Sequence, residues 1–137
     1  MFKFNKYLWD IGQKIEDETL PILNKYFEAD FKRNNDIFDI LDFHDNNKKL
    51  ICEVKGRRNN HDKYPETIIT CKKITEGLMK IEQGYRVFLI FAFLDKTMGI
   101  ELKPDINFKV KITGTNSIEH YLIPIEELKE IDDNFLN

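Results

Sequence analysis

Apolar and polar positions recur along this 137-residue chain with two different periods, and the changes of period divide it into elements. At about 100° per residue, Leu8, Trp9, Ile11, Gly12, Ile15, Thr19, Leu20, Ile22, Leu23, Tyr26 and Phe27 fall in one arc, and Gln13, Lys14, Asp17, Asn24, Lys25 and Glu28 fill the opposite one. This predicts an amphipathic helix over 8–28, with Pro21 marking a kink or a restart. Two short apolar runs, 37–43 and 50–55, flank His44-Asp45-Asn46-Asn47-Lys48, a turn composition, and read as a β-hairpin. Both runs are apolar on both faces, which places them centrally in a covered sheet. Pro65 and Gly84 bracket a second helical stretch over 66–83. The run over 86–94 is the most apolar in the chain and reads as a fully buried strand after a crossover helix. Shorter strands are expected near 99–103, 107–113 and 119–123, then a closing helix over 125–131 behind Pro124. The order is that of a single α/β domain: a central mixed sheet flanked by helices, with a core at about 8–94 and extra C-terminal strands and a helix over 97–131.

Four charged residues interrupt this pattern where burial should exclude them. Glu16 lies inside the apolar arc of the first helix, Asp39 sits in mid-strand, and Glu53 and Lys55 are two apart on one face of the next strand. A lone buried charge is costly, so each needs a partner or a metal. Two carboxylates can hold Mg2+ through hard oxygen ligands while leaving positions for water and a phosphate oxygen, and a neighbouring ammonium can orient the water or offset developing charge. That is the donor set of metal-dependent phosphodiester cleavage. The hairpin decides which first acid joins it. An odd loop such as 45–47 sets Asp39 opposite Glu53, whereas a two-residue loop at 46–47 gives that face to Asp42. Asp39 is preferred, because it interrupts apolar neighbours on both sides while Asp42 is nearer the turn.

Charge changes the picture locally rather than globally. A formal net charge of −3 argues against a protein that coats nucleic acid non-specifically. Yet residues 48–73 carry eight basic side chains against Glu53, Asp62 and Glu66, a local excess of five, which leaves the rest of the chain near −8. Arg57, Arg58, Lys63 and Tyr64 follow the acid-x-Lys strand directly, and Lys72 and Lys73 come next, so this strip would border the site where a phosphate backbone must pass. The spacing does not separate Lys72 from Lys73. Cys52 and Cys71 lack the paired spacing of a zinc site and read as buried free thiols of a reducing compartment. No apolar run approaches the roughly 18 residues of a bilayer span, and the start lacks a signal-peptide pattern, so a soluble intracellular protein is expected.

Asp39, then Glu53-Val54-Lys55 after thirteen intervening residues, resembles the PD-(D/E)XK nuclease superfamily, with its acid in one strand and acid-x-Lys in the next. The resemblance covers roughly 8–94 and includes the order of elements. Gly12 to Glu16 is similar to the Gly-x-x-x-Glu of junction-resolvase-like members, and the stretch from Glu53 through Arg58 to Lys63-Tyr64-Pro65 looks like small viral and phage members. Phe38 stands where the motif has proline. The resemblance implies a restriction-endonuclease-like αβββαβ core and a Mg2+-dependent DNA endonuclease, with Mn2+ able to substitute and RNA the alternative substrate. It implies Asp39, Glu53 and the Val54 backbone carbonyl as metal ligands, Lys55 as the catalytic lysine, Glu16 completing the site, and a homodimer where two strands are cut. The chain has no His before residue 44, so the His-ligand variant of the fold is not supported; His44 and His120 read as structural. The alternative from a different class is a non-catalytic nucleic-acid or protein binding module that retains the fold.

Overall fold

The computed structural model describes residues 5–34, 41–113 and 118–137. Helix α1 (Lys6–Phe27) is opened by Asn5, whose side chain accepts from the Leu8 amide, and closed by Glu28 in the left-handed conformation at φ 50. It runs through Pro21 without a restart. Strands β1 (Lys32–Arg33), β2 (Phe43–Asp45), β3 (Leu50–Gly56) and β4 (Glu66–Thr70) follow, then helix α2 (Cys71–Glu82) and strands β5 (Arg86–Ala92), β6 (Thr97–Leu102), β7 (Lys109–Thr113) and β8 (Ile118–Pro124). A single 3-10 turn, Ile125–Glu127, and strand β9 (Lys129–Glu130) end the described elements.

Six strands form one sheet in the order β1-β2-β3-β5-β6-β9, and three form another in the order β4-β8-β7. Among the described strands only β3 and β5 pair in parallel, joined through α2 as the crossover. The large sheet is therefore mixed, and β3 and β5 lie at its centre. On one face, Leu23 and Phe27 of α1 pack with Phe43, Cys52, Val54, Phe88, Ile90 and Phe135. The Phe27 ring lies edge-on to Phe88 at 4.8 Å and to Phe31 at 5.6 Å. On the other face, Ile51, Val87, Leu89 and Phe91 meet Ile74 of α2 and Ile69 and Ile123 of the small sheet. Each such fully buried side chain contributes about 1.5–3 kcal/mol, so both layers fix the position of β3.

Three expectations need correction. The stretch 66–83 is not one helix: its first five residues, Glu66–Thr70, form β4, and the helix begins at Cys71. Thr67, Ile68, Ile69 and Thr70 are all β-branched and pair with β8, so side-chain stiffness and a waiting strand outweigh the proline signal. The closing helix over 125–131 shrinks to one 3-10 turn, because seven residues make a marginal helix and β6 offers ladder partners at Met98 and Gly99. The hairpin loop spans 46–49, not 45–47. Asp45 fixes it: its Oδ1 accepts from the Asn47 and Lys48 amides, both at 3.0 Å, and Lys49 completes the turn at φ 58. Both cysteines are free, Cys52 buried and Cys71 only half-buried. No helix among the described residues is long and apolar enough to cross a membrane.

Candidate active site

Strand β3 carries Glu53 into the middle of the molecule, where its side chain has no solvent exposure. Two ammonium groups approach it: Lys73 Nζ from α2 lies 3.1 Å from Oε2 and donates to Oε1 at 3.3 Å, and Lys55 Nζ lies 3.3 Å from Oε2. Both contacts to Oε2 are ion pairs without hydrogen-bond alignment, so that oxygen is buried with no hydrogen-bond partner among the described residues. Burial, then the charge of Asp42, pushes the Glu53 carboxyl up to about 8, against the pull of the two lysines.

Asp42 reaches this place through the hairpin register. Phe43 pairs with Cys52, so one further step sets Asp42 beside Glu53. The Val54 amide donates to Asp42 Oδ2 at 2.8 Å, which ties the carboxylate to β3. In an antiparallel ladder a residue directs its N–H and C=O to the same neighbour, so the Val54 carbonyl faces the Asp42 edge as well. The four-residue loop is even, and its register sets Asp42 on the face of Glu53. Asp39 itself lies outside the described residues.

Glu16 completes a row of three carboxylates. Its pKa is raised by burial and by the neighbouring Asp42, and lowered again by Arg33. Arg33 of β1 forks, with Nη1 donating to Glu16 Oε1 and Nη2 to Asp17 Oδ1, each at 2.7 Å, while its guanidinium lies over the Phe43 ring at 5.2 Å. Sequence reasoning missed Arg33 entirely. The signal was a cation in the strand entering the hairpin, and only the β1–β2 pairing of Arg33 with Phe43 brings it to Glu16. Glu16 is positioned by tight packing: a Cβ on Gly56 would stand 2.4 Å from Ile15 Cδ1, so the glycine allows α1 to approach the end of β3.

The donor set fits a divalent metal on the evidence of this structure. Asp42 and Glu53 offer hard carboxylate oxygens side by side, one buried Glu53 oxygen lacks a hydrogen-bond partner among the described residues, and burial followed by the charge of Asp42 disfavours the ionised Glu53 carboxyl in the absence of a cation.

The basic strip divides in two. Arg57 is turned inward: Nε donates to Thr67 Oγ1 at 2.9 Å, Nη1 to the Gly56 carbonyl at 3.1 Å and Nη2 to the Ile68 carbonyl at 2.5 Å, over the Phe91 ring. Burial lowers its pKa, and it braces β3 against β4. Arg58, Lys63, Tyr64 and Lys72 are exposed. Lys72 and Lys73, indistinguishable in sequence, are thus separated: Lys73 meets Glu53 and Lys72 faces solvent. The loop is latched by His61, whose amide and Nδ1 contact the Asp95 carboxylate at 2.8 and 2.5 Å. His61, Asp62 and Asp95 are close enough to one another to hold an ion. His120 Nδ1 lies 3.0 Å from the Ile118 carbonyl oxygen, a local contact.

No protein-family model matches the sequence, and no curated protein sequence matches it. Among solved structures the chain is similar to Hjc, a Holliday junction resolvase from the archaeal hyperthermophile Archaeoglobus fulgidus. The superposition covers 88% of this chain and 91% of that one, with a TM-score of 0.56 at 14% sequence identity. The likeness is one of fold: this chain has a restriction-endonuclease-like fold, as its order of elements led one to expect.

Proposed function

We infer that the protein is a metal-dependent nuclease acting on DNA as an endonuclease, with Asp42, Glu53 and the Val54 carbonyl holding the metal and Lys55 beside it. The observation that carries this reading is the fully buried Glu53, with an unsatisfied oxygen, set against a second carboxylate and a lysine on one sheet face. A bound Mg2+ or Mn2+ would supply charge neutralisation and an acidified water. The chain's own groups then have distinct roles. Lys55, half-exposed at the rim, would orient the attacking water and offset charge on the phosphate. Glu16, held by Arg33, would extend the acidic row and fix the Asp42 carboxylate. Arg58, Lys63, Tyr64 and Lys72 would carry the phosphate backbone past the site. A homodimer fits if both strands of a duplex or junction are cut, since one site addresses one strand.

The test is cleavage of linear, circular, single-stranded and branched DNA, and of RNA, with Mn2+ and with EDTA. Metal-dependent internal cuts in DNA are expected. A folded, metal-loaded protein that leaves every substrate intact would reject the reading. One observation favours a second reading, a binding module that has kept the fold: Arg33 pairs with Glu16, and Lys55 and Lys73 pair with Glu53, so two of the three carboxylates already have cationic partners within the chain. In that case nucleic-acid or protein binding would survive Asp42→Asn and show no metal dependence.

A further inference from the structure

On the same sheet face as Glu53, nearer the hairpin turn, lies an open cavity of about 250 Å3 lined by Asn34, His44, Asn46, Ile51, Lys80 and Tyr85. Two rulers fix its distance from the acidic row. Ile51, its apolar floor, precedes Glu53 by two residues on the same face, roughly 7 Å along a strand. Lys80 follows Lys73, the residue touching Glu53, by two turns of α2, about 10 Å along the helix.

The polar atoms on offer are of mixed kind. The Tyr85 hydroxyl donates to Asn46 Oδ1 at 2.8 Å, which leaves the Asn46 amide nitrogen as a donor. Asn34 Nδ2 donates to the Leu41 carbonyl at 2.7 Å, which leaves Asn34 Oδ1 as an acceptor. His44 Nδ1 is buried without a hydrogen-bond partner among the described residues, and an imidazole nitrogen serves as donor or acceptor according to tautomer. A pocket for a phosphate would present donors alone; here the Asn34 acceptor and the adaptable His44 nitrogen stand beside the donors of Asn46 and Lys80 over an apolar floor, a mixture that matches the edge of a nucleobase. The volume is below the roughly 300–1,000 Å3 of pockets for drug-sized ligands, which suits one planar ring. A buried nitrogen left unpaired costs stability, and a base edge would relieve that cost.

We propose that this cavity is a nucleobase subsite, which receives an unpaired base one or two nucleotides from the phosphate held at Glu53. The inference rests on the nuclease reading for its register along the strand, and it names the substrate class: DNA with an unstacked or single-stranded base beside the cut. A base inside a duplex stack would have to be turned out to enter.

The test is binding in EDTA, which removes cleavage from the measurement. Fluorescence anisotropy would compare a labelled single strand with an abasic strand of equal length. The wild-type protein should hold the base-bearing strand more tightly. His44→Ala, and separately Asn46→Ala in the exposed hairpin turn, should each weaken the base-bearing strand about tenfold, the effect of one net hydrogen bond, and leave the abasic strand unchanged. If both variants are folded and weaken the two strands equally, or neither, the subsite is refuted. Cleavage with Mn2+ is scored separately. Base-dependent binding without cleavage upholds the pocket and rejects the nuclease reading; cleavage without base-dependent binding does the reverse.

Discussion

Replacing Glu53 with glutamine should make stability change with pH in a way the wild-type protein does not share. In the metal-free protein the Glu53 carboxyl is pushed from its ordinary 4.5 up to about 8, chiefly by burial and then by Asp42. An acid whose folded pKa exceeds its unfolded value binds more protons in the folded state, so stability is fully present below pH 4.5 and is lost as pH rises towards 8. At 1.36 kcal/mol per pH unit the full loss is about 5 kcal/mol, of which about 3 kcal/mol has been lost by pH 7. For a domain whose total stability is about 5–15 kcal/mol this is a large fraction. Glu53→Gln removes the titration. Urea unfolding of both proteins in EDTA at pH 5, 6, 7 and 8 should show the wild-type midpoint falling relative to the variant by several kcal/mol in all. Added Mn2+ should restore the wild type at pH 8 and leave the variant unmoved, since a ligand stabilises only the state that binds it. Parallel pH curves for the two proteins would refute the reasoning, because they would mean that Glu53 ionises without cost.

Arg57→Ala should destabilise the fold by about 2–4 kcal/mol, since it strips buried partners from Thr67 and from the Gly56 and Ile68 carbonyls, whereas Arg58→Ala should leave stability within about 0.5 kcal/mol; thermal unfolding of the two variants distinguishes them. Lys72→Met should lower the slope of log binding constant against log salt by about one and leave unfolding unchanged, as expected of a single exposed phosphate contact. Gly56→Ala should cost about 1–3 kcal/mol, because its Cβ meets Ile15 at 2.4 Å and α1 must move away, and Mn2+ binding should weaken as Glu16 moves with it.

Much of this site was legible in the residues. Glu53 and Lys55 stood out because strand periodicity sets them on one face of a run too apolar to carry charge, and Glu16 stood out by the same argument on a helix. The first acid was harder, since its assignment turned on the parity of one loop. That parity depends on Asp45 gathering three turn and loop amides, those of Asp30, Asn47 and Lys48, a contact that no spacing rule reveals. Arg57 and Arg58 are adjacent and chemically identical, yet one is half-buried bracing and the other exposed. Only the approach of β4, a strand of the small sheet where the sequence pattern predicts helix, to Arg57 makes the difference. The pairing of β4 with β8, more than fifty residues later, is a long-range choice that local propensity suggests and tertiary contact decides.

Cutting of labelled branched and single-stranded DNA in Mn2+ by wild-type protein, Asp42→Asn and Glu53→Gln, each shown to be folded and each titrated for Mn2+ binding, tests the central claim most directly. The account predicts cleavage by the wild type alone, with both variants losing Mn2+ affinity and activity together. Cleavage retained by Asp42→Asn, or Mn2+ bound equally by all three proteins, would contradict it.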